Sequence, residues 1–99
     1  MNVSGAKPRV AYVIWRDPIL TVGGGTFIHS LLNLAGFENV FAHKERYPQT
    51  TLDEMKMLNV DYVFLSSEPF PFKEKHCTEF EEVAQPVLVD GKMFSWYGL

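Results

Sequence analysis

The chain has 99 residues, 46% of them hydrophobic, which is enough for one domain with a modest apolar core. Its formal net charge is −3, and its lysines and arginines are scattered without forming a basic stripe, which argues against nucleic acid as a partner. With Cys77 as the single cysteine, an intramolecular disulfide and a cysteine-based zinc site are both excluded.

The N-terminal sequence MNVSGAKPRV lacks the apolar stretch of a signal peptide. No apolar run approaches the roughly 18 residues that a membrane-spanning helix needs. We therefore expect no membrane insertion, and we expect the chain as written to stay in the cytoplasm. Residues 1–8 are expected to be a flexible lead, and residues 9–99 to form a single α/β domain.

The first half of the domain predicts a strand followed by a helix. Residues 9–15, RVAYVIW, are β-branched and aromatic and predict a buried strand. Pro18 and three consecutive glycines predict a loop after it. Thr26 is then expected to cap a helix over residues 27–35, and Gly36 to end it.

The second half repeats this alternation. The predicted elements are a strand over residues 38–42, a short helix that starts with the capping-box sequence TLDE at residues 51–54, a strand over residues 61–67, a helix over residues 71–84 that begins at Pro71, and a strand over residues 86–90. Alternating strands and helices predict an α/β fold. We expect a three-layer sandwich with a mainly parallel sheet of four to five strands.

Aromatic and charged residues follow three of the predicted strands. The first strand ends in WRDP at residues 15–18, the third in SSEPF at residues 66–70, and the fourth leads to FSWY at residues 94–97. Ligands of open parallel sheets bind beyond the carboxyl ends of the strands. Large aromatic side chains with a few charges suit a broad organic ligand. The alternative is that these aromatic side chains fold back and cap a small core.

The glycine-rich sequence GGGTF at residues 23–27 does not match a known phosphate-binding loop. It lacks the lysine of a P-loop and the spacing of a Rossmann fingerprint. A helix N-terminus after glycines can hold an anion. A tight turn or hinge is the interpretation that we prefer.

Metal ligands and catalytic groups are not predicted. His29, His43 and His76 do not have metal-ligand spacing. Ser95 and Cys77 lack the partners of an activated nucleophile. The sequence therefore predicts no metal, cofactor or catalytic residue and favours a protein that is not an enzyme. Glu68 acting as an acid or base is the enzymatic alternative.

Four segments together resemble a known family. These are VAYVIWRDP, GGGTFIHSLLNLAGFENVFA, RYPQTTLDEMKMLNVDYVFLSSEPFPF and LVDGKMFSWYG. They resemble the C-terminal lobe of class III periplasmic substrate-binding proteins, which serve ABC importers of vitamin B12, haem and iron-siderophores. The resemblance extends over residues 9–98 and keeps the family's order of segments. It implies two α/β lobes joined by a rigid helix with the ligand between them, and this sequence matches one lobe.

The resemblance implies a non-catalytic lobe that binds a corrinoid, haem or siderophore-like molecule. The residues that it places at the ligand are Trp15, Arg16, Pro18, Tyr47, Glu68, Phe70, Trp96 and Tyr97. If the chain is a fragment of an exported protein, the resemblance also implies a periplasmic location and an ABC permease as partner. The other interpretation is a stand-alone lobe that acts as a homodimeric structural or interaction protein without a small ligand.

Overall fold

A computed structural model describes residues 6–92, and within them six strands and three helices form an α/β fold. The elements are β1 (Arg9–Trp15), β2 (Ile19–Thr21), α1 (Phe27–Leu34), β3 (Glu38–Asn39), β4 (Gln49–Thr50), α2 (Leu52–Met57), β5 (Tyr62–Ser66), α3 (Glu74–Phe80) and β6 (Gln85–Val89). The predicted α/β class is confirmed.

The six strands form one mixed sheet with the order β4-β2-β1-β5-β6, and β3 pairs with the start of β1. Strands β1, β5 and β6 run parallel, whereas β2 is antiparallel to both β1 and β4. The expectation of a mainly parallel sheet is therefore not confirmed. The reason lies after β1, where Asp17 has a φ of 55° and the chain turns back on itself. A strand that returns through a tight turn can pair only in the antiparallel sense.

Three short stretches differ from the predicted elements. The strands β2 and β4 were not predicted, and β2 lies in the predicted loop after β1. The predicted strand over residues 38–42 is reduced to β3, because the side chain of Asn39 turns the backbone. Its Nδ2 donates to the Val22 carbonyl at 3.0 Å, and its Oδ1 accepts from the Phe41 amide at 3.0 Å. An asparagine that bonds the backbone two residues ahead forms a turn and ends a strand.

The helix caps agree with the sequence in the first two helices. Thr26 Oγ accepts from the His29 amide at 3.1 Å, and Gly36, with a φ of 91°, follows the end of α1. Thr51 Oγ accepts from the Glu54 amide at 3.1 Å at the start of α2. The predicted capping box is only half formed, because the Glu54 carboxylate accepts from the Thr50 hydroxyl instead.

The third helix begins later than predicted. Lys73 is its N-cap residue, so Pro71 lies before the helix and not in its first turn. A hydrogen bond holds the backbone just before the helix, where the Phe72 amide donates to the Phe70 carbonyl at 2.8 Å. The side chain of Phe72 is buried in the core, which holds this stretch against the sheet before the helix starts.

Apolar layers cover both faces of the sheet. Side chains alternate between the faces along a strand, so Val10 and Tyr12 pack on the α1 side while Ala11 and Val13 pack on the α2 and α3 side. The α1 layer is completed by Val22 and Leu32. The opposite layer contains Val40, Phe41, Met55, Val60, Val63, Leu65, Phe72 and Phe80. Helices thus lie on both faces of one sheet, in three layers.

Candidate ligand-binding site

A pocket of about 370 Å³ lies at the sheet edge where β1, β5 and β6 end. It is lined by Ile14, Ile28, Tyr47, Ser66, Glu68, Pro69 and Gly91. This is the edge at which the sequence predicts a site, because ligands of α/β sheets bind beyond the carboxyl ends of parallel strands. Of the residues predicted to bind ligand, the pocket brings Tyr47 and Glu68 together.

The pocket opens on the α1 side of the sheet. Val13 and Leu65 are paired in the parallel register and face the other side, so the next residues, Ile14 and Ser66, face α1. Ile28 comes from the first turn of α1. Tyr47, which is 54% exposed, reaches the pocket from the connection that precedes β4. The pocket is therefore lined by apolar side chains, the Tyr47 phenol and the polar residues Ser66 and Glu68.

Residues 67–71 form a lip at one side of the pocket, and hydrogen bonds fix its start. Ser66 Oγ donates to the Glu68 carbonyl at 2.7 Å. The Tyr12 hydroxyl donates to Ser66 Oγ at 3.3 Å from inside the sheet. Burial raises the pKa of Tyr12 to about 12, which keeps the phenol protonated as a donor. The backbone of Glu68 is thus tied to the core.

Gly91 lies against the lip in a position that only glycine can occupy. Its amide donates to Ser67 Oγ at 2.9 Å. A Cβ at this position would lie 2.4 Å from Ser66 Oγ and 2.9 Å from the Glu68 nitrogen. These distances are shorter than van der Waals contact, so a larger residue would displace the lip. Gly91, Ile14 and Ile28 were not among the predicted site residues, because no sequence pattern marks which face of the sheet a pocket uses.

Three other predicted residues form a separate cluster on the α3 side. The Trp15 and Phe70 rings meet edge to face with centroids 5.4 Å apart. The Arg16 guanidinium lies 6.0 Å from the Phe70 centroid and pairs with Glu79 of α3 at 2.9 Å. This cluster does not line the pocket. Pro18 is exposed in the turn between β1 and β2.

The ring of Phe70 packs into the core more than into an open site. Its centroid is 4.6 Å from that of Phe72 and 5.3 Å from that of His76. For Phe70, the alternative in which an aromatic side chain folds back onto the core describes the contacts better. Trp96 and Tyr97 lie outside the described residues.

Within residues 6–92, two other pockets bear on the choice of site. One of about 420 Å³ adjoins the first, shares Tyr47 with it, and is otherwise lined by Gly24, Gly25, Thr26, Phe27, Glu45 and Arg46. Another of about 650 Å³ lies at the opposite edge, against Asp61, Tyr62 and Gln85 at the amino ends of β5 and β6. Despite its larger volume, the opposite edge is not where α/β sheets bind their ligands.

Among residues 6–92, no group of three or more histidine, cysteine, aspartate or glutamate side chains is placed to hold a metal ion. Nor does any helix in this part of the chain have the length and apolar character needed to cross a membrane.

No family model matches the sequence, and no curated protein matches it. Solved structures do match. A possible iron-binding (periplasmic solute-binding) protein of Staphylococcus epidermidis has a TM-score of 0.77 and 18% identity, over 93% of this chain and 40% of that one. The periplasmic haem-binding protein of Vibrio cholerae has a TM-score of 0.71 and 15% identity, over 90% of this chain and 40% of that one. The periplasmic vitamin B12-binding protein of Vibrio cholerae has a TM-score of 0.68 and 18% identity, over 93% of this chain and 42% of that one.

The chain has the class III periplasmic binding protein fold. It spans about two fifths of the length of these class III proteins, as expected for one lobe. All three neighbours are described as periplasmic binding proteins, the first of them as a possible iron-binding one. The resemblance drawn from the sequence is thus confirmed for the fold.

Proposed function

We propose that this chain is a non-catalytic ligand-binding lobe for a corrinoid, haem or ferric siderophore. The observation that carries the proposal is the pocket at the carboxyl ends of β1, β5 and β6, with Tyr47 and Glu68 among its lining residues. The pocket joins apolar walls to a small number of polar groups, which is the composition of small-molecule sites.

The size of the pocket supports a lobe that contacts one side of its ligand. Its volume of about 370 Å³ is at the low end for sites that enclose a whole organic molecule. A flat macrocycle or metal chelate would rest on Tyr47 and leave its other side uncovered. We therefore propose that a second surface closes over the ligand, as a second lobe would.

The predicted site residues have different roles in this proposal. Tyr47 supplies aromatic contact and Glu68 orients polar groups of the ligand. Trp96 and Tyr97 follow β6 in the chain and stay predicted contacts. Trp15 and Arg16 contact Phe70 of the lip from the α3 side and so support the lip. Pro18 stays a predicted contact at the edge. The proposal includes a periplasmic location and an ABC permease as partner.

The test is equilibrium dialysis of the chain against cyanocobalamin, haemin and a ferric hydroxamate, with the retained ligand measured by its absorbance. We expect at least one of them to be retained. We expect Tyr47→Ala to weaken its binding by roughly tenfold, because one lost aromatic contact is worth about 1.4 kcal/mol. Tyr62→Ala is the matched control, since Tyr62 is also exposed, at 37% against 54% for Tyr47, but lies at the opposite edge.

Retention of none of the ligands by a chain that is folded by circular dichroism would contradict the proposal. Equal weakening by Tyr47→Ala and Tyr62→Ala would contradict the location of the site. If no ligand is retained and sedimentation shows a dimer that Trp96→Ala dissociates, the homodimeric interaction protein replaces the binding lobe.

A further inference from the structure

Glu68 gives the pocket its charge. It is the one charged residue among the described residues that line the pocket. The hydrogen bonds of Glu68 involve its backbone, and its carboxylate takes part in none of the ion pairs within residues 6–92. Glu68 is a half-buried residue of a pocket that Ile14 and Ile28 also line. A carboxylate in such partly apolar surroundings interacts with a nearby charge more strongly than one in open water.

None of the ion pairs within residues 6–92 involves Glu68, so no basic residue of this part of the chain neutralises its carboxylate by direct contact. Arg16 is paired with Glu79, and Lys44 lies 3.5 Å from Glu54. Arg46 and Glu45 both line the adjoining pocket, where their formal charges cancel, and Lys92, which follows Gly91, is exposed and is not among the lining residues. Among its own lining residues within 6–92, the pocket therefore carries one negative charge and no positive one.

The position of Glu68 is also fixed. Ser66 Oγ holds the Glu68 carbonyl at 2.7 Å, and the buried Tyr12 hydroxyl donates to that oxygen of Ser66. On the other side, Gly91 fills the space against the Glu68 nitrogen. Because the backbone of Glu68 is already held in one place, the lip itself has little conformational freedom to lose when a ligand binds, which favours selectivity.

We propose that the pocket selects ligands that present a positive charge or hydrogen-bond donors to Glu68, and that it disfavours anionic ligands. This inference rests on the proposed function and narrows its ligand class. Ferric hydroxamates with an ammonium group and corrinoids with peripheral amides fit this chemistry. Porphyrins with propionates and ferric catecholates, which are anionic, do not.

A series of matched chelates tests the inference. Ferrioxamine B carries a terminal ammonium group, its N-acetyl derivative is neutral there, and its N-succinyl derivative carries a carboxylate. We expect binding to weaken in that order, by roughly tenfold from the ammonium to the carboxylate at low salt. Glu68→Gln should remove most of this difference, because its amide carries no charge. Glu81→Gln is the control, since it changes the net charge equally at an exposed position after α3.

Each outcome decides a separate claim. Equal binding of the three chelates, a preference for the succinyl derivative, or an order that persists in Glu68→Gln would overturn the charge selectivity. Retention of haemin alone would overturn it too, while leaving the proposed function in place. If cobalamin is the only ligand retained, cobalamin binding that Glu68→Gln leaves unchanged would also overturn the charge selectivity and leave the proposed function in place. Retention of no chelate, corrinoid or porphyrin would overturn both proposals.

Discussion

At the scale of single residues, Tyr12 connects the core to the candidate site. Its side chain is buried within the sheet, and its hydroxyl donates to Ser66 Oγ, which in turn donates to the Glu68 carbonyl. A buried polar group that loses its partner costs about 1–3 kcal/mol. This chain of hydrogen bonds therefore favours one position of the lip, and the buried phenol has a structural and a positioning role together.

Replacing Tyr12 with phenylalanine tests this role. The pH dependence separates the effect of the lost hydrogen bond from the effect of the phenol's titration. We expect Tyr12→Phe to lower the free energy of unfolding by about 1 kcal/mol near neutral pH. Burial raises the pKa of Tyr12 to about 12 in the folded chain, while an unfolded tyrosine titrates near about 10. The folded state therefore keeps this proton longer, so the stability of the wild type falls as the pH rises above about 10. By pH 11 the loss is about 1.4 kcal/mol.

Urea unfolding of both proteins at pH 7, 9 and 11 measures these effects. The other tyrosines and the lysines titrate in both proteins, so the difference between the two isolates Tyr12. We expect that difference to be steady between pH 7 and 9, to reach zero between pH 10 and 11, and to be slightly reversed at pH 11. A difference that does not change with pH would show that burial does not raise the pKa of Tyr12.

At the scale of elements, the parallel strands were predictable and the antiparallel ones were not. The predicted strands over residues 9–15, 61–67 and 86–90 match β1, β5 and β6 closely. Continuous β-branched and aromatic runs identify such buried strands. Strands β2 and β4 have three and two residues, and they pair with each other although they are distant in the sequence. No local sequence pattern encodes such pairing.

The sequence predicted the edge of the sheet at which the candidate site lies, but it did not predict the pocket. The loops after β1 and β5 do reach the same edge of the sheet. The sequence could not tell that Trp15 and Phe70 would lie on the α3 side while Ser66 and Glu68 line a pocket on the α1 side. That division depends on which face the last residue of each strand takes, and a shift of one residue would reverse it.

The cap of α1 matters for the pocket because this helix supplies Ile28. Thr26 Oγ accepts from the His29 amide at 3.1 Å and donates to the Gly23 carbonyl at 2.9 Å. We expect Thr26→Ala to lower the free energy of unfolding by about 1 kcal/mol, the usual value of an N-cap. Thr78→Ala, at an exposed position inside α3, is the matched control and should change stability by less than about 0.5 kcal/mol. Equal effects of the two substitutions in chemical denaturation would show that the Thr26 cap contributes little.

At the scale of the whole molecule, two apolar layers share one sheet. The α1 layer and the α2 and α3 layer lie on opposite faces of β1, and each takes alternate residues of that strand. Because the strand cannot leave one layer without leaving the other, we expect the two layers to unfold together. This coupling also explains how a pocket on the α1 side can be supported by aromatic contacts on the α3 side.

Large-to-small substitutions in each layer test this coupling. Leu32 is 2% exposed on the α1 side, and Phe80 is fully buried on the α3 side. We expect Leu32→Ala and Phe80→Ala each to lower the free energy of unfolding by about 3 kcal/mol, because each leaves a cavity in a packed layer. Leu34→Ala is the matched control, since Leu34 belongs to the same helix as Leu32 but is 84% exposed. In each variant, transitions followed by tryptophan fluorescence and by far-ultraviolet circular dichroism should coincide, as in a two-state transition. Separate transitions in either variant would mean that the layers unfold independently and that the α3 side cannot hold the lip in place.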